Sequence, residues 1–287
     1  MITINASAKL NLCLKVISKR TDGYHNIETL FERIDLSDTI TVGFGDEVDK
    51  VQCDNPEIPL GGDRLVGRCI KKFRERAGCK APFDISIVKR IPVSAGLGGG
   101  SSDAAAVLKG LNELTGQLLQ TEELIEIGRE LGADIPFFIT GHSFAFGTGR
   151  GDEIEKAEAH MEIAHILINP PFGTCTEDIY RGVSAFSLTN TKGIDKMFNV
   201  FLKENDINAI AENIYNDLQP IALQENPSLQ KAFDEIKASG AKGVLLSGSG
   251  PTVFGIFDKK TVKSAKKRLE TIFPQEQGWG VYETYTC

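Results

Sequence analysis

The chain has 287 residues and a net charge of −7, with 41% apolar and 25% charged residues. That suffices for one large or two ordinary domains around a sizeable core. The acidic balance argues against nucleic acid as the main partner, because phosphate backbones want a basic face. Six cysteines stand at 13, 53, 69, 79, 175 and 287 with no Cys-x-x-Cys pair and no histidine cluster. A zinc site is therefore not expected, and scattered free thiols suit a reducing cytoplasm. No run nears the roughly 18 apolar residues of a membrane span, and strand-like alternation starts at once, so neither a span nor a signal peptide is expected.

Residues 2–16 read as a strand with two faces. Leu10, Leu12, Leu14 and Val16 point one way, and Lys9, Asn11, Cys13 and Lys15 the other. Lys9 and Asn11 share a face, about 7 Å apart at two residues' rise. Such a pair can hold a phosphate and a hydroxyl together; the alternative is the solvent face of an edge strand. Asp22-Gly23 marks a turn that presents Tyr24 and His25 side by side, for packing or for recognition. Residues 27–42 look extended, with Leu30, Ile34, Leu36, Ile40 and Val42 as core candidates, and 43–62 are acidic and turn-rich. Leu65, Val66, Cys69, Ile70 and Phe73 make an apolar stripe on a helix of roughly three turns.

Phe83, Ile85 and Ile87 alternate with polar residues as a half-buried strand. It leads into Pro92-Val93-Ser94-Ala95-Gly96-Leu97-Gly98-Gly99-Gly100-Ser101-Ser102-Asp103. Beyond, Ala104, Val107, Leu108, Leu111 and Leu114 recur at helical spacing, with Ser101 or Ser102 as N-cap and Gly116 as the stop. Strand, glycine loop and capped helix form a phosphate cradle, in which bare amides and the positive helix end favour an anion. No Gly-Lys-Ser/Thr follows the glycines, so this is not a Walker A loop. The glycine spacing is also wrong for a dinucleotide-binding turn.

Thr121-Glu122-Glu123 opens a helix that Gly132 ends. In Asp134-Ile135-Pro136-Phe137-Phe138 the proline suits the first turn of a short helix. Asp134 is then either a capping acid or a proton acceptor hemmed in by apolar side chains. A strand with a glycine-marked bend fills 143–154, and a domain boundary is expected near it, dividing 1–152 from 153–287. Residues 163–168 form a strand, and Thr176 can N-cap a helix that carries Tyr180 one turn on. Helical patterns follow over 194–216 and 228–238. A buried strand, Val244 to Leu246, enters a second glycine loop, Ser247-Gly248-Ser249-Gly250-Pro251-Thr252, which returns as strand 253–257. A basic helix (259–271) and a strand (279–285) finish the chain.

Pro92 to Ser102 resembles the phosphate loop of the GHMP kinases, and Ser247 to Gly250 resembles their C-terminal glycine motif. Ala8-Lys9-Leu10-Asn11-Leu12, Arg20-Thr21-Asp22-Gly23-Tyr24-His25, Ile34-Asp35-Leu36-Ser37-Asp38 and Leu131-Gly132-Ala133-Asp134-Ile135-Pro136-Phe137-Phe138 are similar to one branch of that family. That branch acts on 4-diphosphocytidyl-2-C-methyl-D-erythritol. The resemblance spans residues 2 to about 257.

It implies an α+β, two-domain GHMP kinase fold. The N-terminal ATP-binding and catalytic domain would be like domain 2 of ribosomal protein S5, and the C-terminal domain ferredoxin-like. It implies transfer of the γ-phosphoryl of ATP, with Mg2+, to the 2-hydroxyl of that cytidine diphosphate alcohol, a step of the non-mevalonate route to isoprenoid precursors. Lys9 and Asp134 match the catalytic pair: Asp134 would take the hydroxyl proton, and Lys9 would hold Asp134 ionised and balance the transferring charge. Residues 92–102 match the ATP loop. Asn11, Tyr24, His25, Thr176 and Tyr180 match substrate positions, with Tyr24 and Tyr180 sandwiching the cytosine and His25 bonding its edge. Arg64 stands where this family often has Asn beside the adenosine, and Cys175 where Ser is expected. The implied partners are small molecules, not nucleic acid or membrane, in the cytoplasm; monomer and homodimer both remain open, as do the Mg2+ ligands. Another GHMP small-molecule kinase and a non-catalytic nucleotide-binding regulator are the alternatives. The Tyr24-His25 turn discriminates against the first, and retention of Lys9 and Asp134 against the second.

Overall fold

The computed structural model describes residues 1–56, 58, 64–159, 161–183, 204 and 206–287. Its contacts divide the chain into two compact units, each built from separated segments. The first comprises Met1–Ala8, Ser37–Ile91 and Gly98–His142; the second comprises Lys9–Leu36, Pro92–Leu97 and Ser143–Cys287. Strands β1 (Ile2–Lys19) and β2 (His25–Phe44) each contribute residues to both.

In the first unit β3 (Lys50–Cys53) runs parallel to β4 (Phe83–Val88), and β4 runs antiparallel to Thr39–Phe44 of β2. β3 lies in the stretch expected to be turn-rich; four residues are too few for alternation to stand out. Helices α1 (Leu65–Ala77), α2 (Gly99–Leu114), α3 (Thr121–Leu131) and α4 (Ile135–Thr140) complete the unit. Helix α2 lies close on the sheet because Gly110 faces Val42: a Cβ at 110 would stand 2.7 Å from Val42 Cγ2. Its Ala104, Val107, Leu108 and Leu111 are buried, as are Ile40, Val42, Phe73, Phe83, Ile85 and Ile87.

In the second unit β5 (Phe144–Thr148) pairs antiparallel with Thr29–Glu32 of β2 and forms a hairpin with β6 (Glu153–Lys156). The second sheet holds β7 (Ala164–Asn169), β9 (Gly243–Leu246), β10 (Val253–Phe257) and β11 (Gly280–Tyr285) in the order β11-β7-β10-β9, every pairing antiparallel. Helix α5 (Thr176–Val183), α6 (Ile207–Asn213), α7 (Gln219–Glu225) and α8 (Leu229–Ala238) come between β7 and β9, and α9 (Val262–Ile272) between β10 and β11. This order matches the split βαβ arrangement called ferredoxin-like.

The helical pattern read over 194–216 falls partly outside the described residues; within them it yields α6, then β8 (Tyr215–Asn216) parallel to β1. With β2 and β8 on either side, β1 is not an edge strand, and Lys9 and Asn11 are 4% and 1% exposed. The solvent-face alternative for that pair is thereby set aside. Leu36 is only half-buried, unlike its companions Leu30, Ile34, Ile40 and Val42.

Candidate active site

In the first unit the glycine loop turns into α2 at Gly98, whose φ of 70° is the left-handed conformation glycine tolerates. The helix begins at Gly99, so Ser101 and Ser102 lie in its first turn and neither is the N-cap expected of them. Starting at glycines leaves the leading amides without a capping side chain, which suits an anion. The Ser102 hydroxyl instead donates to Ser7 O at 2.7 Å and ties the helix start to β1. A side chain at Gly100 would meet nothing within 4 Å, so this turn presents open backbone.

Beneath that turn lies a buried cluster that pattern reading missed. Lys89 Nζ donates to Asp38 Oδ2 and, at 2.7 Å, to Asp103 Oδ2. Asp38 Oδ1 also accepts from the backbone N–H groups of Arg90 and Ile91, at 2.5 and 2.8 Å. The only signal in the sequence was a lysine directly after an apolar strand and before the glycine loop. Burial pushes the Asp103 carboxyl up to about 7, against the pull of Lys89, and one of its oxygens is buried without a hydrogen-bond partner. Burial opposes the Lys89 charge, but the two carboxylates outweigh it and raise its pKa.

A carboxyl raised from 3.8 to about 7 binds its proton more tightly in the folded state. Its contribution to stability is complete below the unfolded value and is lost as pH rises through the folded one. The melting temperature should therefore fall between about pH 4 and pH 7. In Asp103→Asn that slope should flatten; equal slopes in a pH series of thermal melts would contradict the assignment.

Asp134 occupies the N-cap position of α4, with proline in the first turn and Ile135, Phe137 and Phe138 buried beside it. Its side chain makes no capping bond to that helix, so the capping-acid alternative is not what the geometry shows.

The second unit holds the other predicted residues. Lys9 N donates to Leu97 O at 3.0 Å, and Lys9 Nζ donates to Asn11 Oδ1. The two glycine loops pack on each other: Ser247 Oγ donates to Gly96 O at 3.0 Å, and Thr252 N to Ala95 O at 3.4 Å. Ser94 and Gly96 have φ of 53° and 75°. A Cβ at Gly248 would stand 3.3 Å from both Lys9 Nζ and Asn11 Oδ1, so the second loop runs against the lysine with bare backbone. Asn216 Nδ2 holds that loop by donating to Leu246 O and Gly248 O at 2.9 and 2.7 Å.

Thr176 is the first residue of α5 and not its N-cap; Cys175 O receives the first helical N–H groups. The Thr176 hydroxyl lies 2.9 Å from Ser249 Oγ. Tyr180 stacks on His25, with ring centroids 5.2 Å apart and planes at 29°. Without a bound base, the ring facing Tyr180 is that of His25. Tyr24, 55% exposed, lies against the Arg150 guanidinium, 5.2 Å from its ring centroid. Burial, with Lys19 second, holds His25 below its ordinary pKa, so near neutral pH its ring can accept a hydrogen bond as well as donate one. Arg64 is exposed at the N-cap of α1 and makes no side-chain cap.

The models "GHMP kinases N terminal domain" and "GHMP kinases C terminal" match residues 64–142 and 198–275. The 4-diphosphocytidyl-2-C-methyl-D-erythritol kinases of Syntrophotalea carbinolica and Syntrophus aciditrophicus are each 37% identical to this chain, over 96% and 98% of both chains respectively. A crystal structure of 4-(cytidine 5'-diphospho)-2C-methyl-D-erythritol kinase superposes with a TM-score of 0.81 at 30% identity, covering all of both chains. Methanococcus jannaschii mevalonate kinase, at 17% identity and a TM-score of 0.75, shares the fold. The chain belongs to the 4-diphosphocytidyl-2-C-methyl-D-erythritol kinase family and has the two-domain GHMP kinase fold.

Proposed function

We propose that this kinase transfers the γ-phosphoryl of ATP to the 2-hydroxyl of 4-diphosphocytidyl-2-C-methyl-D-erythritol, in the methylerythritol phosphate route to isoprenoid precursors. The observation that carries the reading is the buried Lys9–Asn11 pair, held against the bare backbone of Gly248 beside the Gly96 turn. An ammonium and an amide fixed next to two glycine loops suit a phosphoryl group and an acceptor hydroxyl. In this reading residues 92–102 take the triphosphate on main-chain amides. Asp134 accepts the hydroxyl proton, and Lys9 balances the charge of the transferring group. Asn11, Tyr24, His25, Thr176 and Tyr180 take the cytidine substrate. Along the chain, 1–152 carries the ATP-binding and catalytic residues and 153–287 carries Thr176 and Tyr180; the two family models fall on either side of that boundary, while the compact units interleave across it.

Mg2+ would arrive on the nucleotide. Among the described residues no three His, Cys, Asp or Glu are grouped to hold an ion, and Mg2+ binds chiefly through substrate phosphates with one or two carboxylates. Bound there, it would neutralise charge on the phosphates. A cytoplasmic setting agrees with six free thiols, and among the described residues no helix is long and apolar enough to cross a membrane.

A coupled ADP-release assay tests the reading. Turnover should appear with the cytidine substrate and not with homoserine or mevalonate; the reverse pattern would replace it with another GHMP kinase activity. Tyr180→Ala should raise KM for the cytidine substrate about tenfold, since base stacking is worth roughly 1–3 kcal/mol, while KM for ATP stays unchanged. An equal loss for ATP would put this ring in the wrong pocket.

A further inference from the structure

We infer that Thr29 is the positioning residue that sets the orientation of the Asn11 amide and, through it, the place of the Lys9 ammonium. The inference rests on the reading above, in which Lys9 and Asn11 belong to the active site. An asparagine carboxamide has two ends of nearly equal shape, one a donor and one an acceptor, so a buried site has to specify which end faces which neighbour. Here a threonine does so with its single hydroxyl hydrogen.

Thr29 Oγ1 donates that hydrogen to Cys13 O at 2.7 Å. Toward Asn11 it has only lone pairs left, and it accepts from Asn11 Nδ2 at 2.7 Å. The Asn11 carbonyl oxygen is thereby turned to Lys9 Nζ, which donates to it. The flipped amide would set its NH2 against an ammonium, two donors facing each other, and would leave the threonine oxygen without a donor. Lys9, Asn11, Thr29 and Cys13 are all 4% exposed or less, so losing a partner here carries a full desolvation cost.

The threonine is itself held. Thr29 pairs with Gly147 across β2 and β5, and its Cγ2 lies 3.0 Å from where a Cβ on Gly147 would stand. The methyl group occupies the space that the glycine leaves open. A β-branched side chain with few χ1 choices then points its hydroxyl toward β1. From Gly147 to Lys9, each group fixes the next.

Thr29→Val keeps the shape and removes the hydroxyl. Its kcat should fall about tenfold or more while KM for ATP changes less than about twofold, and Thr29→Ser should recover kcat to within about threefold. In an Asn11→Ala background Thr29→Val should cost nothing further, because no amide remains to be oriented. An unchanged kcat in Thr29→Val, or the same loss with and without Asn11, overturns the inference. Should the valine variant not fold, Thr29→Ser against Thr29→Ala isolates the hydroxyl, and equal kcat in those two overturns it as well. If Lys9→Ala and Asn11→Ala themselves keep full turnover, the active-site reading falls. If they lose turnover and Thr29→Val does not, only the role of Thr29 falls.

Discussion

Asp134→Asn should lower kcat at least tenfold, and by up to about 10⁴-fold if proton acceptance governs the rate. The amide matches the carboxylate in shape but has no basic oxygen to take a proton from an alcohol. Folding should change far less than turnover, because asparagine keeps the shape of the side chain and its apolar neighbours Ile135, Phe137 and Phe138 are unchanged. Affinity for ATP should also stay the same, since in this reading the triphosphate is held by residues 92–102. Steady-state kinetics, a nucleotide titration and a thermal melt separate these effects. Turnover equal to the parent protein would remove Asp134 from the chemistry.

Gly96→Ala should be worse for the protein as a whole. The position has φ of 75°, where an alanine costs roughly 1–2 kcal/mol. Its Cβ would also stand 2.2 Å from Ser247 O and 2.9 Å from Gly250 O. Both obstacles are main chain, so the two glycine loops have to separate rather than one side chain move aside. The hydrogen bonds from Ser247 Oγ to Gly96 O and from Thr252 N to Ala95 O go with them. A displacement of about 1 Å in groups that position substrate is enough to cost about 10²-fold in rate. We expect at least that loss, together with a lower melting temperature. Gly100→Ala is the matched folding control, because nothing lies within 4 Å of its Cβ and it sits in a helix, where alanine is favoured. A Gly96→Ala protein as stable and active as the parent would mean that the loops do not need their close approach.

Much of this is legible in the sequence. Alternation announces Phe83–Val88, the return from the second glycine loop announces Val253–Phe257, and a 3.6-residue stripe announces Leu65–Ala77 and Gly99–Leu114. Those are local periodicities, and they survive in the folded chain. Which residue caps a helix was less legible. Ser101, Ser102 and Thr176 all have the right chemistry, yet Gly98 and Cys175 take the positions, and the hydroxyls of Ser102 and Thr176 find tertiary partners in Ser7 and Ser249. The Asp38–Lys89–Asp103 cluster was invisible because its members are up to 65 residues apart and no periodicity links them. The contact between Tyr180 and His25 joins residues 155 positions apart and has no signal in local sequence.

The order in which the segments alternate limits how this protein can be taken apart. Residues 143–287 look like a separable module along the gene, yet their compact unit also requires Lys9–Leu36 and Pro92–Leu97. Expressed alone, that piece would strip β5 of the strand that covers it and leave His165, wholly enclosed, without the Glu32 carboxylate 2.9 Å away. A donor shut in with no acceptor is costly. Recombination between relatives should therefore succeed by exchanging the early strands along with the later sheet, and a single crossover near the middle of the gene should yield insoluble products.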